Sequence, residues 1–359
     1  MATTPRRSLS APLLGWYAHA RRDLPWRRSR DPYAIWLSEV MLQQTQVTTV
    51  IPYWNRFLER FPTAEALAAA ELPEVLALWS GLGYYARARA LHRAAQAIST
   101  EHGGKLPGTA EALRELPGFG PYTAGAVASI AFGERTPLVD GNVLRVLARV
   151  FEVEGEPASR AVQKRVWELA GELVPAQRPG DFNQALMELG ATLCTPKTPD
   201  CPACPLRSQC GALRTGRVDA LPSPKARPVR KRLRMTCVVA LRRGRVLLAR
   251  RPERGLFAGL WELPGAEGNR AALATALGSG FTLGAKLGTV ERTLTHRELE
   301  LELVTASAAA RPQHIEPYLE LRWANPREAA ALGMSSAMRA CLELVWPEAR
   351  TSGRRMRHP

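Results

Sequence analysis

The residues able to do chemistry fall into three groups. The first is a pair of carboxylates in unusual settings. Glu39 stands in DPYAIWLSEVMLQQTQV, with apolar neighbours on both sides. A carboxyl in such surroundings resists ionisation, because desolvation disfavours its charged form. It can then act as a general acid near neutral pH. Asp140 stands in LVDGNVLRVLARV, just beyond a small-residue helix and just before the next helix. Each also has a plainer reading: Glu39 on the outer face of an amphipathic helix, and Asp140 as a helix N-cap.

The second group is Cys194, Cys201, Cys204 and Cys210, spaced C-x6-C-x2-C-x5-C, with Pro196, Pro199, Pro202 and Pro205 between and around them. Four thiols this close in a chain without secretory features imply a metal site, zinc being the generic choice. Cys237 and Cys341 lie elsewhere and read as buried hydrophobes. The third group is a turn, LPGFGPYTAG at 116–125. Gly118 and Gly120 allow a tight hairpin between two helices, and Pro121 suits the first turn of the second. The free N–H groups and dipole at such a helix start suit one phosphate.

The elements that must position these groups are mostly helical up to about residue 213. Residues 8–20 read as an amphipathic helix, and Asp31-Pro32 as a helix start. WSGLGYYARARALHRAA joins a Gly-rich turn, with Leu82 and Tyr84, to a helix carrying Arg87, Arg89, His92 and Arg93. That basic side suggests phosphate contacts, and Leu82 and Tyr84 suit wedging a base step, unless they simply fill the core. Residues 214–234 hold eight Lys or Arg against one acid and read as a basic, Pro-rich linker, either solvated or laid along DNA. From 235 to about 346 short β-branched runs alternate with turns, and a basic tail occupies 347–359.

With 359 residues and a net charge of +16, the chain is long enough for two or three domains and basic enough to meet nucleic acid or another anionic surface. No stretch reaches the roughly 18 apolar residues of a membrane helix, and the N-terminal segment lacks signal-peptide features. The expectation is a soluble, cytoplasmic, nucleoid-associated protein with no membrane partner.

LPGFGPYTAG resembles the helix-hairpin-helix motif of the base-excision DNA glycosylases, followed by their Asp loop, and SEVMLQQTQV resembles the MutY family of adenine DNA glycosylases. The cysteine spacing is similar to that of the [4Fe–4S] cluster in the endonuclease III and MutY families. The segment from 235 resembles the start of a Nudix domain, but GAEGNRAALATALGSGF replaces the glutamate-rich Nudix box, which argues against a pyrophosphatase. The resemblance spans roughly residues 8–346.

It implies a multidomain fold: an all-α helix-hairpin-helix glycosylase core with a [4Fe–4S] loop over 1–213, and an α+β Nudix-like domain over 235–346. Within the core, about 29–134 would form the six-helix subdomain, and 1–28 with 135–213 the cluster subdomain. The activity implied is hydrolytic removal of adenine opposite 8-oxoguanine or guanine in duplex DNA, by a monomer. Glu39 would protonate the base and later activate water. Asp140, ionised, would stabilise the oxocarbenium-like state, with Tyr122 hydrogen-bonded to it. Gln44 would insert into the stack, Gln184 would lie near the adenine amine, and Arg27 would border the base pocket. Tyr84, with Leu82, would touch the opposite strand. Leu294-Thr295-His296 would read the lesion. Gly118 and Gly120 would grip the backbone, with a monovalent cation at the hairpin, and Asn142 would belong to the binding loop.

Bifunctional relatives carry a Schiff-base Lys where Tyr122 stands, so strand cleavage is not expected. Leu144 stands where many relatives of the MutY type have Lys, and its effect there is on covalent trapping. The rival readings are an endonuclease III-like or mismatch thymine glycosylase, and a non-enzymatic DNA-binding iron-sulfur protein.

Overall fold

Helix starts are written into the chain as capping residues. In the computed structural model, which describes residues 9–223, 229–308 and 315–347, Asp31 accepts the Tyr33 N–H at 3.0 Å. Pro32 then fills the first helical position of its helix. Thr109, Asp140, Ser159, Asn269, Asn325 and Ser335 cap later helices in the same way. Each satisfies N–H groups that a helix start leaves without partners.

The described residues separate into two compact units. One gathers the residues up to Ala69 with those from Ala90 to the linker. The other gathers Ala70–Arg89 with the residues after the linker.

The first unit is helical. It contains α1 (Ser10–Ala20), α2 (Pro32–Leu42), α3 (Val47–Arg60) and α4 (Ala64–Ala69). After α5 (Leu72–Trp79), which belongs to the second unit, come α6 (Ala86–Glu101), α7 (Ala110–Arg114) and α8 (Pro121–Ala131). Then follow α9 (Gly141–Phe151), α10 (Arg160–Leu173), α11 (Pro179–Thr192) and the short α12 (Gly211–Arg214). Leu13, Leu147, Val166, Phe182 and Leu186 share one core built from α1, α9, α10 and α11. Burying such side chains contributes about 1.5–3 kcal/mol each.

Two glycines set approaches that matter for the site. Gly118 has φ 79°, in the left-handed region, and a Cβ there would meet the Ala90 Cβ at 2.6 Å. Gly190 on α11 would place a Cβ 2.6 Å from the Asn142 Cβ, so its missing side chain lets α11 lie directly on the start of α9. No described helix is long and apolar enough to cross a membrane.

The linker expected at 214–234 is not uniformly free. The buried Arg149 guanidinium donates to the carbonyls of Val218 at 3.0 Å and Leu221 at 2.8 Å, and Leu221 is itself buried. Ordered backbone carbonyls are a good match for a guanidinium that cannot shed its charge. Residues 224–228 lie outside the described residues, as do 348–359 of the tail.

The second unit is a mixed α+β fold. Its strands are β1 (Lys231–Arg242), β2 (Arg245–Arg250), β3 (Trp261–Glu262), β4 (Gly265–Glu267), β5 (Phe281–Thr293), β6 (Arg297–Ala308) and β7 (Glu320–Ala324). The sheet runs β3-β2-β1-β6-β5, with β4 also on β1 and β7 also on β2. β1 and β6 are parallel, and the other pairings are antiparallel. Helices α13 (Arg270–Leu277), α14 (Pro326–Ala330) and α15 (Ser336–Val345) accompany it. Cys237 and Cys341 are fully buried in its core, as expected of cysteines used as hydrophobes. Helix α13 reads RAALATAL and holds no carboxylate, so the place of a glutamate-rich box is taken by a plain packing helix.

Candidate active site

Glu39 lies on the last turn of α2 and is 5% exposed, buried like the apolar residues around it. The Tyr122 hydroxyl donates to its Oε2 at 2.5 Å. Burial pushes the Glu39 carboxyl from 4.5 up to about 7; the Tyr122 bond opposes this, and the nearby Asp140 charge reinforces it. The outer-face reading of Glu39 is thereby excluded.

Asp140 fills the N-cap role open to it and also lies in the site beside Glu39. It N-caps α9, accepting the Val143 N–H at 2.7 Å, and its Oδ2 accepts the Asn142 Nδ2 at 2.9 Å. Burial raises its pKa, while those donors and the Arg145 charge pull the other way. Donors aimed at a carboxylate favour its ionised form. Burial is the largest influence on both carboxyls and raises both; at Asp140 several donors oppose it, at Glu39 chiefly the Tyr122 hydroxyl. Two neighbouring carboxyls in unlike surroundings are suited to serve as an acid and a charged partner.

One expected contact is wrong. Tyr122 bonds Glu39, not Asp140. Asp140 turns its oxygens to the start of its own helix, while the Tyr122 ring, on the first turn of α8, reaches across to α2. Burial drives the Tyr122 phenol well above its ordinary value, and the charges of Glu39 and Asp140 add to this. The hydroxyl therefore stays a donor. Because its bond helps the ionised form of Glu39, Tyr122→Phe is expected to raise the Glu39 pKa and move the alkaline limb of any Glu39-dependent activity to higher pH. A pH profile of the variant checks this; an unmoved or lowered limb would contradict it.

Asn142 supports Asp140, and its Oδ1 accepts Arg145 Nη2 at 2.8 Å. Arg145 also donates to the carbonyls of Gly190 at 2.8 Å and Cys194 at 2.7 Å. A run of hydrogen bonds therefore leads from the cysteine segment to the Asp140 carboxylate. Leu144 is buried in the helical core beside them.

The other side of the site is built on α11. Tyr17 donates to Gln184 Oε1 at 3.3 Å, and the Tyr122 hydroxyl lies 3.5 Å from Met187 Sδ. Glu188 receives Arg22 and Arg27, each at 2.8 Å. Burial alone would raise the Glu188 carboxyl, but the two guanidiniums hold it down at about 2. Trp26 packs edge-on against Trp54 and is core.

Gln44 is exposed in the turn between α2 and α3 with φ 58°. The neighbouring Gln43 donates to Thr123 Oγ1 at 3.1 Å, fastening that turn to α8. The hairpin forms as expected, from α7 through Gly118 to α8. Gly120 is the N-cap of α8, with open space where a side chain would be.

In the second unit, Tyr84 is 45% exposed, has φ 47°, and its hydroxyl meets Thr295 Oγ1. Non-glycine residues in the left-handed region concentrate at functional sites. Ser80 and Tyr85 hold this turn by donating to the Met334 carbonyl at 2.8 and 2.5 Å. Leu294 and His296 flank Thr295 in the turn between β5 and β6, with His296 exposed. Leu82 is 5% exposed and packs inward, so it is no wedge. Nor is the start of α6 a basic face. His92 is buried, Arg89 is half-buried, and Arg87 lies over the Trp79 and Tyr84 rings, leaving Arg93 exposed.

Cys194, Cys201, Cys204 and Cys210 line one cavity with Arg149 and Arg207. Arg149 Nη1 donates to Cys194 Sγ at 3.3 Å. Burial, reinforced by neighbouring thiols, pushes Cys204 up to about 11. Among the described residues no group of three or more His, Cys, Asp or Glu converges on a single-ion site. Arg207 and Arg214 are exposed, and Arg214 pairs with Glu152 at 3.7 Å.

Sequence reasoning missed Glu188, Arg145 and Met187. Glu188 carried a usable signal, a carboxylate flanked by apolar residues in ALMELG, the same sign that marked Glu39.

The HhH-GPD superfamily base excision DNA repair protein family matches residues 37–172, and the NUDIX domain family matches 236–344. An adenine DNA glycosylase of Mus musculus is 46% identical over 304 residues, covering 70% of this chain and 59% of the relative. One from Homo sapiens is 44% identical over 306 residues, covering 70% and 56%. The chain thus spans less than two thirds of the length of these curated relatives. A solved thermostable thymine-DNA glycosylase is 32% identical, with a TM-score of 0.52, covering 57% of this chain and 94% of that one. With Glu39, Tyr122 and Asp140 all inside the first matched region, the chain belongs to the HhH-GPD superfamily of base excision DNA repair proteins, and over 70% of its length it is similar to adenine DNA glycosylases.

Proposed function

We propose that the chain is a monofunctional DNA glycosylase that hydrolyses the N-glycosidic bond of adenine opposite 8-oxoguanine, and also opposite guanine. The observation that carries this reading is the pair Glu39 and Asp140, one carboxyl in an apolar setting and one held by donors, with the Asp140 charge acting on Glu39. Adenine as the base rests on the adenine DNA glycosylases at 44–46% identity.

The duplex would be gripped through the backbone amides at Gly118 and Gly120, where a monovalent cation can join them. The adenine would be extruded, at a cost of a few kcal/mol that is smaller at a mispair. Gln44 would fill the gap. Gln184 and Arg27 would border the extruded base. Tyr122 occupies Oε2 of Glu39, so the proton is presented on Oε1, to the leaving base at N7. Asp140 meets the positive charge that develops on the sugar, and Glu39 then activates water. Tyr84, Leu294, Thr295 and His296 would read the opposite 8-oxoguanine. No lysine stands where Tyr122 does, so no Schiff base forms there and strands break only under alkali. The protein would act as a monomer on nucleoid DNA in the cytoplasm.

A thymine glycosylase among the structural relatives makes T opposite G the substrate to exclude. Chromatography of the released base, on duplexes with A opposite 8-oxoguanine, tests the reading: free adenine supports it, and thymine release alone from a T:G duplex would overturn it.

The four cysteines would hold a [4Fe–4S] cluster, which would lock the 194–210 loop. The donor set fits: four thiols line one cavity, and thiolates are the ligands such a cluster takes. Purified protein is expected to carry about four irons per chain. Cys204→Ser is expected to lose most of that iron and to melt at a lower temperature, read by iron assay and calorimetry.

A further inference from the structure

Glu188 does more than join two segments of chain. Its side chain has no solvent exposure, and it sits one helical turn beyond Gln184 on α11, on the side that carries Met187 against Tyr122. Arg22 engages it through the backbone N–H at 3.0 Å and through Nε and Nη2 at 2.8 Å each. Arg27 engages the same Oε2 through Nη2 at 2.8 Å. The Arg27 guanidinium is fixed on two further sides: Nη1 donates to the Arg22 carbonyl at 3.0 Å, and the group lies 5.6 Å from the Tyr17 ring centroid. Tyr17 in turn bonds Gln184. The Arg27 side chain is 11% exposed and its charge reaches Glu39, whereas Arg22 is 41% exposed. One carboxylate therefore holds two arginines of different character, one at the surface and one facing the site.

We propose that Glu188 is a positioning residue for adenine excision, fixing the Arg27 guanidinium against Tyr17, which itself bonds Gln184, so that it borders the extruded base in one orientation. This rests on the adenine glycosylase reading. A guanidinium held by a buried carboxylate loses its rotamer freedom before the base arrives, and pre-set geometry of this kind governs rate more than duplex affinity. The affinity for duplex is left to the hairpin, which Glu188 does not touch.

Glu188→Asp keeps the charge, and so the fold, but draws the carboxylate back by one methylene. Single-turnover excision of adenine opposite 8-oxoguanine is expected to fall about 10- to 100-fold, with duplex Kd within about twofold. Arg22→Ala, which removes the surface partner alone, is expected to keep the excision rate within about threefold. In an Arg27→Ala background the Glu188→Asp loss is expected to vanish, because the two residues act as a unit. An unchanged rate in Glu188→Asp, a loss that persists without Arg27, or an equal loss in Arg22→Ala would overturn the proposal and leave Glu188 a structural tie. Wild-type protein that releases no adenine would instead overturn the function on which the proposal rests.

Discussion

Asp140→Asn protein is expected to fold and bind duplex DNA as the wild type does, but to excise adenine at least about 10³-fold more slowly, roughly 4 kcal/mol of barrier. The substitution separates the two roles of this residue. As an N-cap, Asn is about as good as Asp, so the bond from the Val143 N–H survives and α9 keeps its start. What disappears is the negative charge that Asn142 and the Val143 amide hold in place. A fixed charge opposite a developing cation in a dry site acts strongly, because it is already oriented when the cation forms. Calorimetry and single-turnover kinetics on the same preparation check both halves. If the variant excised at the wild-type rate, Asp140 would be a cap and nothing more.

Glu39→Gln is the second large effect. Gln keeps the shape and still accepts the Tyr122 hydroxyl, but has no proton to give. A loss of about 10²–10⁴ in excision rate is expected, the range supplied by positioned general acids. The wild-type pH profile should carry the same signature. Burial raises the Glu39 pKa to about 7, so the acid form is complete well below that value and is lost as pH rises through it. Excision should therefore decline above about pH 7, and the alkaline limb should be absent from whatever activity Glu39→Gln retains. A wild-type rate that climbs steadily to pH 9 would contradict the assignment.

Much of this site can be read in the chain because its parts are local. The hairpin is ten consecutive residues whose glycines and proline admit few conformations, and Asp140 follows it after one helix and a short non-helical stretch. Four cysteines within seventeen positions of sequence gather whatever the rest of the fold does. Glu39 was visible as a carboxylate in an apolar run, since burial follows from its neighbours. What could not be read was direction. The Tyr122 ring belongs to a helix start whose angle to α2 is set by packing, so its partner became Glu39 and not Asp140. In sequence Leu82 suits wedging a base step, against a plain core reading, and His92 belongs to a basic side, yet tertiary packing turns both inward. Glu188 depends on arginines more than 160 positions away in sequence, a pairing no local pattern announces. The position of Tyr84 beside Thr295 likewise joins stretches 211 residues apart.

The most direct test of the account is single-turnover excision on three duplexes, with A opposite 8-oxoguanine, A opposite G, and T opposite G, each resolved with and without alkali. Fast adenine loss opposite 8-oxoguanine, slower loss opposite G, no thymine release, and strand breaks only after alkali are the predicted results. Thymine release, or breaks formed without alkali, would contradict the assignment of Glu39, Asp140 and Tyr122 to monofunctional adenine removal.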